Sequence, residues 1–586
     1  MTRYHMLAGL MTAVLAGCTG SPAETENTAE AEQQTAAAAP VPATAVFDWF
    51  EYSGEDKAFE GGAPDGGYLN PVLAGFYPDP SVTRAGDTYY LVTSTFSYFP
   101  GIPVMESKDL VNWTQIGNVI DRPGMLDFDG LGLSRGVFAP TIEFHDGMFY
   151  VANTCVDCGG NFIVTATDPA GPWSDPIWSP EVGGIDPSLF FDEDGKVWMM
   201  NNDEPEGGST YDGHRAIWIR EVDPQTFESI SEPVMIIDGG VRPEDKPIWI
   251  EGPHIYKVDG WYYLSAAEGG TAVDHSQVVL RAKSVTGPYT PFEGNPVLTQ
   301  RDLPEDRPNP ITSVGHADLV QDADGQWWAT FLGVRPYEGD FYNTGRETFL
   351  LPVEWTDGWP IITEAQETVP YRVGQKPASL DTEPAAIPLS GNFTVRADFD
   401  AEALPPHWMT LRVPQTRWWD MTDGSLLIEA RPVALGAGLQ PSVLARRQQH
   451  QSAEATTAVR FNPASPAAEA GLTVLQNDAH FYALGIGKNE AGETVIRLRK
   501  RTGDQSPVAG ETIAETPIDV DGEVSAELRI TAQGDAYDFS YRLSPENDWT
   551  VMAEGLDGKM LSTRTAGGFV GAVFDLDLLR PFFLFF

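Results

Sequence analysis

A short phrase recurs five times in the first two-thirds of this chain and limits what it can fold into: a turn around Asp and Gly, then at once a short aromatic-rich run. The copies are Gly86-Asp-Thr-Tyr-Tyr-Leu-Val, Asp146-Gly-Met-Phe-Tyr-Val-Ala, Asp194-Gly-Lys-Val-Trp-Met-Met, Asp259-Gly-Trp-Tyr-Tyr-Leu-Ser and Asp324-Gly-Gln-Trp-Trp-Ala-Thr, about 50 to 65 residues apart. Asp-Gly turns feeding aromatic and β-branched residues read as hairpins, and their repetition reads as an array of like units. Between the copies, Ser107-Lys-Asp-Leu-Val-Asn-Trp113, Thr167-Asp-Pro-Ala-Gly-Pro-Trp173 and Ser284-Val-Thr-Gly-Pro-Tyr289 supply an outer strand and closing turn. Long helical periodicity is absent. The chain is therefore expected to be all-β, with a five-bladed β-propeller over residues 46–365, whose radial repetition protects strand edges and leaves a central channel. Pro370, Pro377, Pro384 and Pro388 mark residues 366–390 as a linker. Short β-like runs such as His407–Val413, Ser425–Ala430 and Ala453–Phe461 then predict a β-sandwich over 391–586.

Three carboxylates share one framing. Asp79 lies in Phe76-Tyr-Pro-Asp-Pro-Ser81, Asp186 in Gly184-Ile-Asp-Pro-Ser188, and Glu251 in Trp249-Ile-Glu-Gly-Pro-His254. Proline fixes its own φ and disfavours helical backbone in the residue before it, so these acids are expected in stiff, extended positions. Each stands about eight residues ahead of a repeated turn, which brings them to equivalent places in three blades, at the channel mouth. Hydrolysis of a glycosidic bond needs such acids: one to protonate the leaving oxygen, one to activate water, and sometimes a third to tune the first.

Of the 586 residues, 37 are Lys or Arg and 84 are Asp or Glu, a net charge of 37 − 84 = −47. So acidic a surface repels nucleic acid and anionic membranes and is neutral toward an uncharged sugar. The N-terminus carries an apolar run, Met6–Ala16, followed by small residues, the layout of a secretory signal. Leu15-Ala-Gly-Cys18 resembles a lipobox, so residues 1–18 are expected to be a lipoprotein-type signal with Cys18 as the lipidated residue. Residues 19–45 follow as a disordered acidic tether, and the protein is placed in a bacterial cell envelope, touching membrane only through its lipid. Thr19 favours the outer membrane. The other cysteines, Cys155 and Cys158, make half a zinc site, so no metal is assigned. A local disulfide and two free thiols both stay open, as does the oligomeric state.

With these residues in hand the chain resembles glycoside hydrolase family 43 in its β-xylosidase branch. The resemblance rests on Asn70-Pro-Val-Leu-Ala-Gly-Phe-Tyr-Pro-Asp-Pro-Ser81, Thr93-Ser-Thr-Phe-Ser-Tyr-Phe-Pro-Gly101, Glu251-Gly-Pro-His-Ile-Tyr256, Ala267-Glu-Gly-Gly-Thr271, Gly315-His-Ala317 and Gly345-Arg-Glu-Thr348. Ser442-Val-Leu-Ala-Arg-Arg-Gln-Gln-His450 is similar to the concanavalin-like sandwich of that branch. The family implies inverting hydrolysis, with Asp79 as general base, Glu251 as general acid and Asp186 orienting the acid and raising its pKa. It also implies substrate contacts from Arg346, Phe96, Phe138 and His316. No cofactor is required; calcium near His316 is left as an option. The activity implied is an exo-β-1,4-xylosidase on xylo-oligosaccharides, with α-L-arabinofuranosidase on arabino-oligosaccharides or arabinoxylan as the alternative and a non-catalytic carbohydrate-binding lipoprotein third. Two departures stand out: Phe138 replaces a Trp common in the branch, and the last residues, Leu578–Phe586, are atypical. In the branch an aromatic of the sandwich closes the pocket; Phe574 lies near that position and is left unassigned.

Overall fold

The repeated phrase forms the second strand of each of five antiparallel sheets. In chain order these strands are Thr88–Val92, Met148–Val156, Val197–Asp203, Trp261–Glu268 and Trp327–Val334. At Asp146-Gly147 and Asp259-Gly260 both central residues have positive φ, the two-residue turn that matches strand twist and admits Asp-Gly. The first strands of the sheets are Ser81–Ala85, Thr141–His145, Ile185–Phe191, Glu251–Val258 and Thr312–Gln321. Each packs on the next and the last returns to the first, so the five close a propeller-type ring. The computed structural model describes residues 43–364, 366–378, 385–520 and 522–579. Cys18 and the signal and tether as far as residue 42 lie outside them.

The closing turns between third and fourth strands bury Trp113 and Trp173. Trp113 Nε1 donates to Leu110 O at 2.8 Å, and the Asp109 carboxylate accepts from the backbone N–H of Val111 and Asn112. A disulfide joins Cys155, near the end of Met148–Val156, to Cys158 in the turn that leads into Gly160–Ala166.

The first strand departs from the sequence-based expectation. Chain order puts residues 44 and 45 at the end of the tether and 46–54 in the propeller, yet Thr44–Gly54 is one strand inside the sandwich, between Ser425–Glu429 and Ser452–Phe461, with Phe393–Ala397 also paired to it. Its alternation buries Ala45, Phe47, Phe50 and Tyr52 in the sandwich core, and its partners lie some 400 residues away, beyond the reach of a local pattern. This eight-stranded sheet faces a six-stranded one that includes Ser442–Arg447, Glu469–Asn477, His480–Lys488 and Val573–Leu579. The region read as linker is also partly structured, since Arg372–Val373 pairs with Tyr68–Leu69 beside the ring.

Ring and sandwich share a core. Thr410–Leu411 pairs with Tyr98–Phe99, and Phe76, Phe96 and Tyr98 pack with Met409, Val443, Leu475, Phe481 and Val573. Buried Arg335 forks onto Glu347 at 2.6 and 2.8 Å and reaches Asp56 at 2.6 Å, while Asp56 accepts the backbone N–H of Ser452. The sandwich is thereby fixed over one end of the ring.

Candidate active site

The first strands do not run straight to the ring mouth. Their pairing slips between Ile185 and Ser188, between Glu251 and His254, and twice between Thr312 and Asp318. Left-handed backbone accompanies these bulges, with φ of 56° at Asp186, 56° at Gly252 and 52° at His316; Asp79 shares it, at 54°, just ahead of a strand that pairs without a slip. A bulge re-aims a side chain, which accounts for the inward turn of Asp186 and Glu251. This corrects the expectation of extended backbone before proline. The positive φ costs on the order of 1–3 kcal/mol per residue and persists because bonds around the site hold it.

Asp79, Asp186, Glu251, Arg346, Phe96, Phe138 and His316 all line one cavity of about 480 Å³. Every carboxylate singled out in the sequence therefore arrives at one place. Arg346 forks onto Asp79, Nη1 to Oδ1 at 2.7 Å and Nη2 to Oδ2 at 3.3 Å, and Ser94 Oγ donates to Oδ2 at 2.5 Å. Asp186 Oδ2 accepts the backbone N–H of Gly252 at 3.0 Å, which ties it to the residue after Glu251.

These neighbours divide the acids. None of the three is more than 7 % exposed, so burial pushes each carboxyl up. At Asp79 the Arg346 guanidinium, with His316, Ser94 and His275, outweighs burial and holds the group below the ordinary carboxylate range. At Glu251 burial prevails and the charges of Asp186 and Asp79 add to it, so its pKa rises well above that range. Asp186 is raised too, by burial and then by Asp79, against the Gly252 N–H. Burial brings His316 down to about 4, leaving a neutral imidazole 4.0 Å from Asp79.

Three phenylalanines make one wall. Phe569 stacks on Phe96 at 5.9 Å and 20°, and Phe138 meets both edge-on at 5.5 and 5.7 Å. Arg346 lies within cation–π reach of Phe96 and Phe569. Phe569 belongs to the sandwich, whereas Phe574, the aromatic near the expected position, packs against Tyr52 in the sandwich core. The signal for Phe569 was its Gly567-Gly568 approach, with φ of 72° and 81°. That turn lets the Phe569 N–H reach Ser134 Oγ at 2.8 Å, and Gly345 leaves room for Gly571 beside Arg346. Sequence reasoning also missed Ser94 and a further part of the lining, Ile248, Trp249, Gly270 and Thr271.

Calcium needs about six to eight oxygen ligands. The carboxylates around His316 are Asp79, taken by Arg346 and Ser94, and Asp318, which accepts from Ser81, Val82 and Tyr256. Among the described residues no three of His, Cys, Asp and Glu converge as a metal would require. With these carboxylates already engaged, the donor set does not fit calcium.

A propeller-type ring with three buried carboxylates at its mouth, one with its pKa held below the ordinary range and one with its pKa pushed well above it, and an accessory sandwich closing the pocket, defines a glycosidase. Residues 68–360 match glycosyl hydrolases family 43, and residues 396–576 match the beta xylosidase C-terminal concanavalin A-like domain. The chain belongs to glycosyl hydrolase family 43. A xylosidase/arabinosidase of Butyrivibrio fibrisolvens is 37% identical over 516 residues, covering 86% of this chain and 95% of its own. A non-reducing end alpha-L-arabinofuranosidase of Bacteroides ovatus is 39% identical over 516 residues, 86% of this chain and 90% of its own. The crystal structure of a GH43_12 protein retrieved from a capybara gut metagenome superposes with a TM-score of 0.84 at 39% identity, covering 92% of this chain and all of that one.

Proposed function

We propose that the protein is an inverting exo-β-1,4-xylosidase that releases xylose from the non-reducing ends of xylo-oligosaccharides. The observation that carries this reading is the opposite treatment of two carboxylates in one cavity. Asp79, bidentately paired with Arg346, is ready to accept a proton from water, while Glu251 keeps its proton for the leaving oxygen. Water is deprotonated by Asp79 and attacks the anomeric carbon from one face as the glycosidic bond breaks on the other, with the Glu251 proton passing to the departing sugar. Asp186 acts as a positioning residue: its bond to the Gly252 N–H fixes the Glu251 backbone, and its charge discourages ionisation of Glu251. Arg346 has a second task, offering donors to sugar hydroxyls beside Asp79, and the Phe96, Phe138 and Phe569 wall excludes water from the reacting carbon.

Product release from xylobiose and from arabinoxylan by wild type and Glu251→Ala, with an activated aryl xyloside as third substrate, tests the assignment. Xylose from xylobiose, and a variant that works only on the activated xyloside, is the expected result. A first-formed product with retained anomeric configuration would overturn the mechanism. A second reading, α-L-arabinofuranosidase, is favoured by the smaller Phe138 ring in the wall and by the name of the Bacteroides ovatus relative; faster release of arabinose than xylose would select it. We also propose that Cys18 carries a lipid holding the enzyme at the cell envelope. Radiolabelled palmitate entering wild type but not Cys18→Ser is the expected outcome, and equal labelling of both would refute it.

A further inference from the structure

The stretch of cavity lining formed by Ile248 and Trp249 has no part in the chemistry above, yet its backbone is tightly held. Trp249 lines the cavity with φ of 52°, a genuine outlier for a bulky aromatic residue. Two backbone bonds hold it there: Trp249 N–H to Gly213 O at 2.8 Å, and Gly269 N–H to Ile248 O at 2.9 Å. Gly213 passes so close that an added Cβ would lie 2.7 Å from Ile248 Cβ. The Arg215 guanidinium rests over the indole at 4.4 Å. Ile248 is 40 % exposed here, and Val273, between the lining residues Ala272 and Asp274, is 45 % exposed, so this side of the cavity opens to solvent.

Trp249 precedes Glu251 by two residues in one segment, and both face the cavity. Inversion places base and acid on opposite faces of the reacting sugar, so the oxygen that Glu251 protonates, and the sugar it leaves with, lie on the Trp249 side. We propose that the Ile248–Trp249 wall receives the leaving-group sugar of an oligosaccharide, with the indole as the platform on which that ring stacks and Arg215 as the positioning residue that fixes the indole. This rests on the glycosidase mechanism proposed above. Strained backbone at a functional site persists where surrounding structure over-determines it, and the Gly213 and Gly269 bonds do so here. The open rim lets the rest of the chain continue into solvent, as an enzyme trimming chain ends requires.

The test compares wild type, Trp249→Ala and Trp249→Phe on a disaccharide, xylobiose or arabinobiose, and on the matching glycosyl fluoride, whose leaving group cannot fill the wall. Remote binding energy is expressed in the transition state, so Trp249→Ala is expected to lower kcat/KM on the disaccharide about tenfold and to stay within about twofold on the fluoride. Trp249→Phe is expected to recover most of the loss. Retained fluoride activity doubles as proof of folding. Equal losses on both substrates, or no loss on the disaccharide, would overturn this assignment alone. A wild type that cleaves neither disaccharide overturns the proposed function and, with it, the wall's role.

Discussion

Gly252→Ala isolates the link between backbone and acid. A Cβ at this position would lie 2.8 Å from His316 Nε2 and 2.9 Å from Cε1, closer than side-chain atoms approach, and the backbone has φ of +56°. His316 is itself buried and cannot swing away freely. Overpacking of this kind costs about 1–3 kcal/mol, and left-handed backbone in alanine adds roughly 1–2 kcal/mol, so a stability loss of about 2–5 kcal/mol is expected. Relief of the clash must move the strand, and the Gly252 N–H is the donor that binds Asp186 at 3.0 Å. Misplacing a catalytic group by about 1 Å lowers the rate about a hundredfold. The assay is kcat/KM on an aryl glycoside together with chemical unfolding, with Gly260→Ala as control. Gly260 also has positive φ, at 71°, but nothing stands within 4 Å of its added Cβ. It should lose about 1–2 kcal/mol of stability and keep its activity. If Gly252→Ala loses no more activity than Gly260→Ala, the backbone of Gly252 does not position the acid and the reasoning fails.

The pH dependence of kcat/KM should be bell-shaped, with an acid limb from Asp79 below the ordinary carboxylate range and a basic limb from Glu251 above it. Arg346→Met removes the largest of the influences that oppose burial at Asp79, so the acid limb must move to higher pH; an unmoved limb would show that Asp79 is not the base. Phe569→Ala removes a ring stacked on Phe96 and facing Arg346, contacts worth about 1–3 kcal/mol together that chemical unfolding should register, and by opening the pocket wall to water it should also lower kcat/KM. Wild-type activity in that variant would mean that the sandwich does not complete the pocket. Arg335→Met strands Glu347 and Asp56 in the interior and should cost about 3–5 kcal/mol in denaturant unfolding, although Arg335 does not line the cavity. A loss under about 1 kcal/mol would show that those carboxylates are solvated.

Asp79, Asp186 and Glu251 were legible because each sits at a fixed distance before a hairpin whose turn and strand leave a local trace in the sequence. A ring of like sheets converts such an offset into convergence. The prolines beside them pointed to rigidity but not to its form: the left-handed φ at Asp186 goes with a bulge and a bond from Gly252, and that at Asp79 with bonds from Arg346, a residue 267 positions away. Phe569 and the strand Thr44–Gly54 were hidden for a related reason. Phe569 reaches the site through contact with Ser134, 435 residues earlier, and Thr44–Gly54 pairs with Ser452–Phe461, so neither carries a local pattern that names its partner. Trp249 gave no cue at all, since an aromatic residue ahead of Glu251 suits a core position equally well.

One backbone device serves positions that end with opposite chemistry, and the difference lies in what faces each of them. Asp79 and Asp186 have the same left-handed backbone before proline, and both are buried. Arg346 forks onto Asp79, whereas Asp186 receives a single backbone N–H, and Glu251 looks toward two carboxylates. Repetition therefore supplies the geometry of convergence, and the sheet that carries Arg346 breaks its electrostatic symmetry. The sandwich is tied to that same sheet: Gly571 lies against Gly345, and the Ala572 N–H donates to Asn343 O at 2.7 Å. A shift of the sandwich would thus move Phe569 and the Arg346 strand together, which couples closure of the pocket to ionisation of the base.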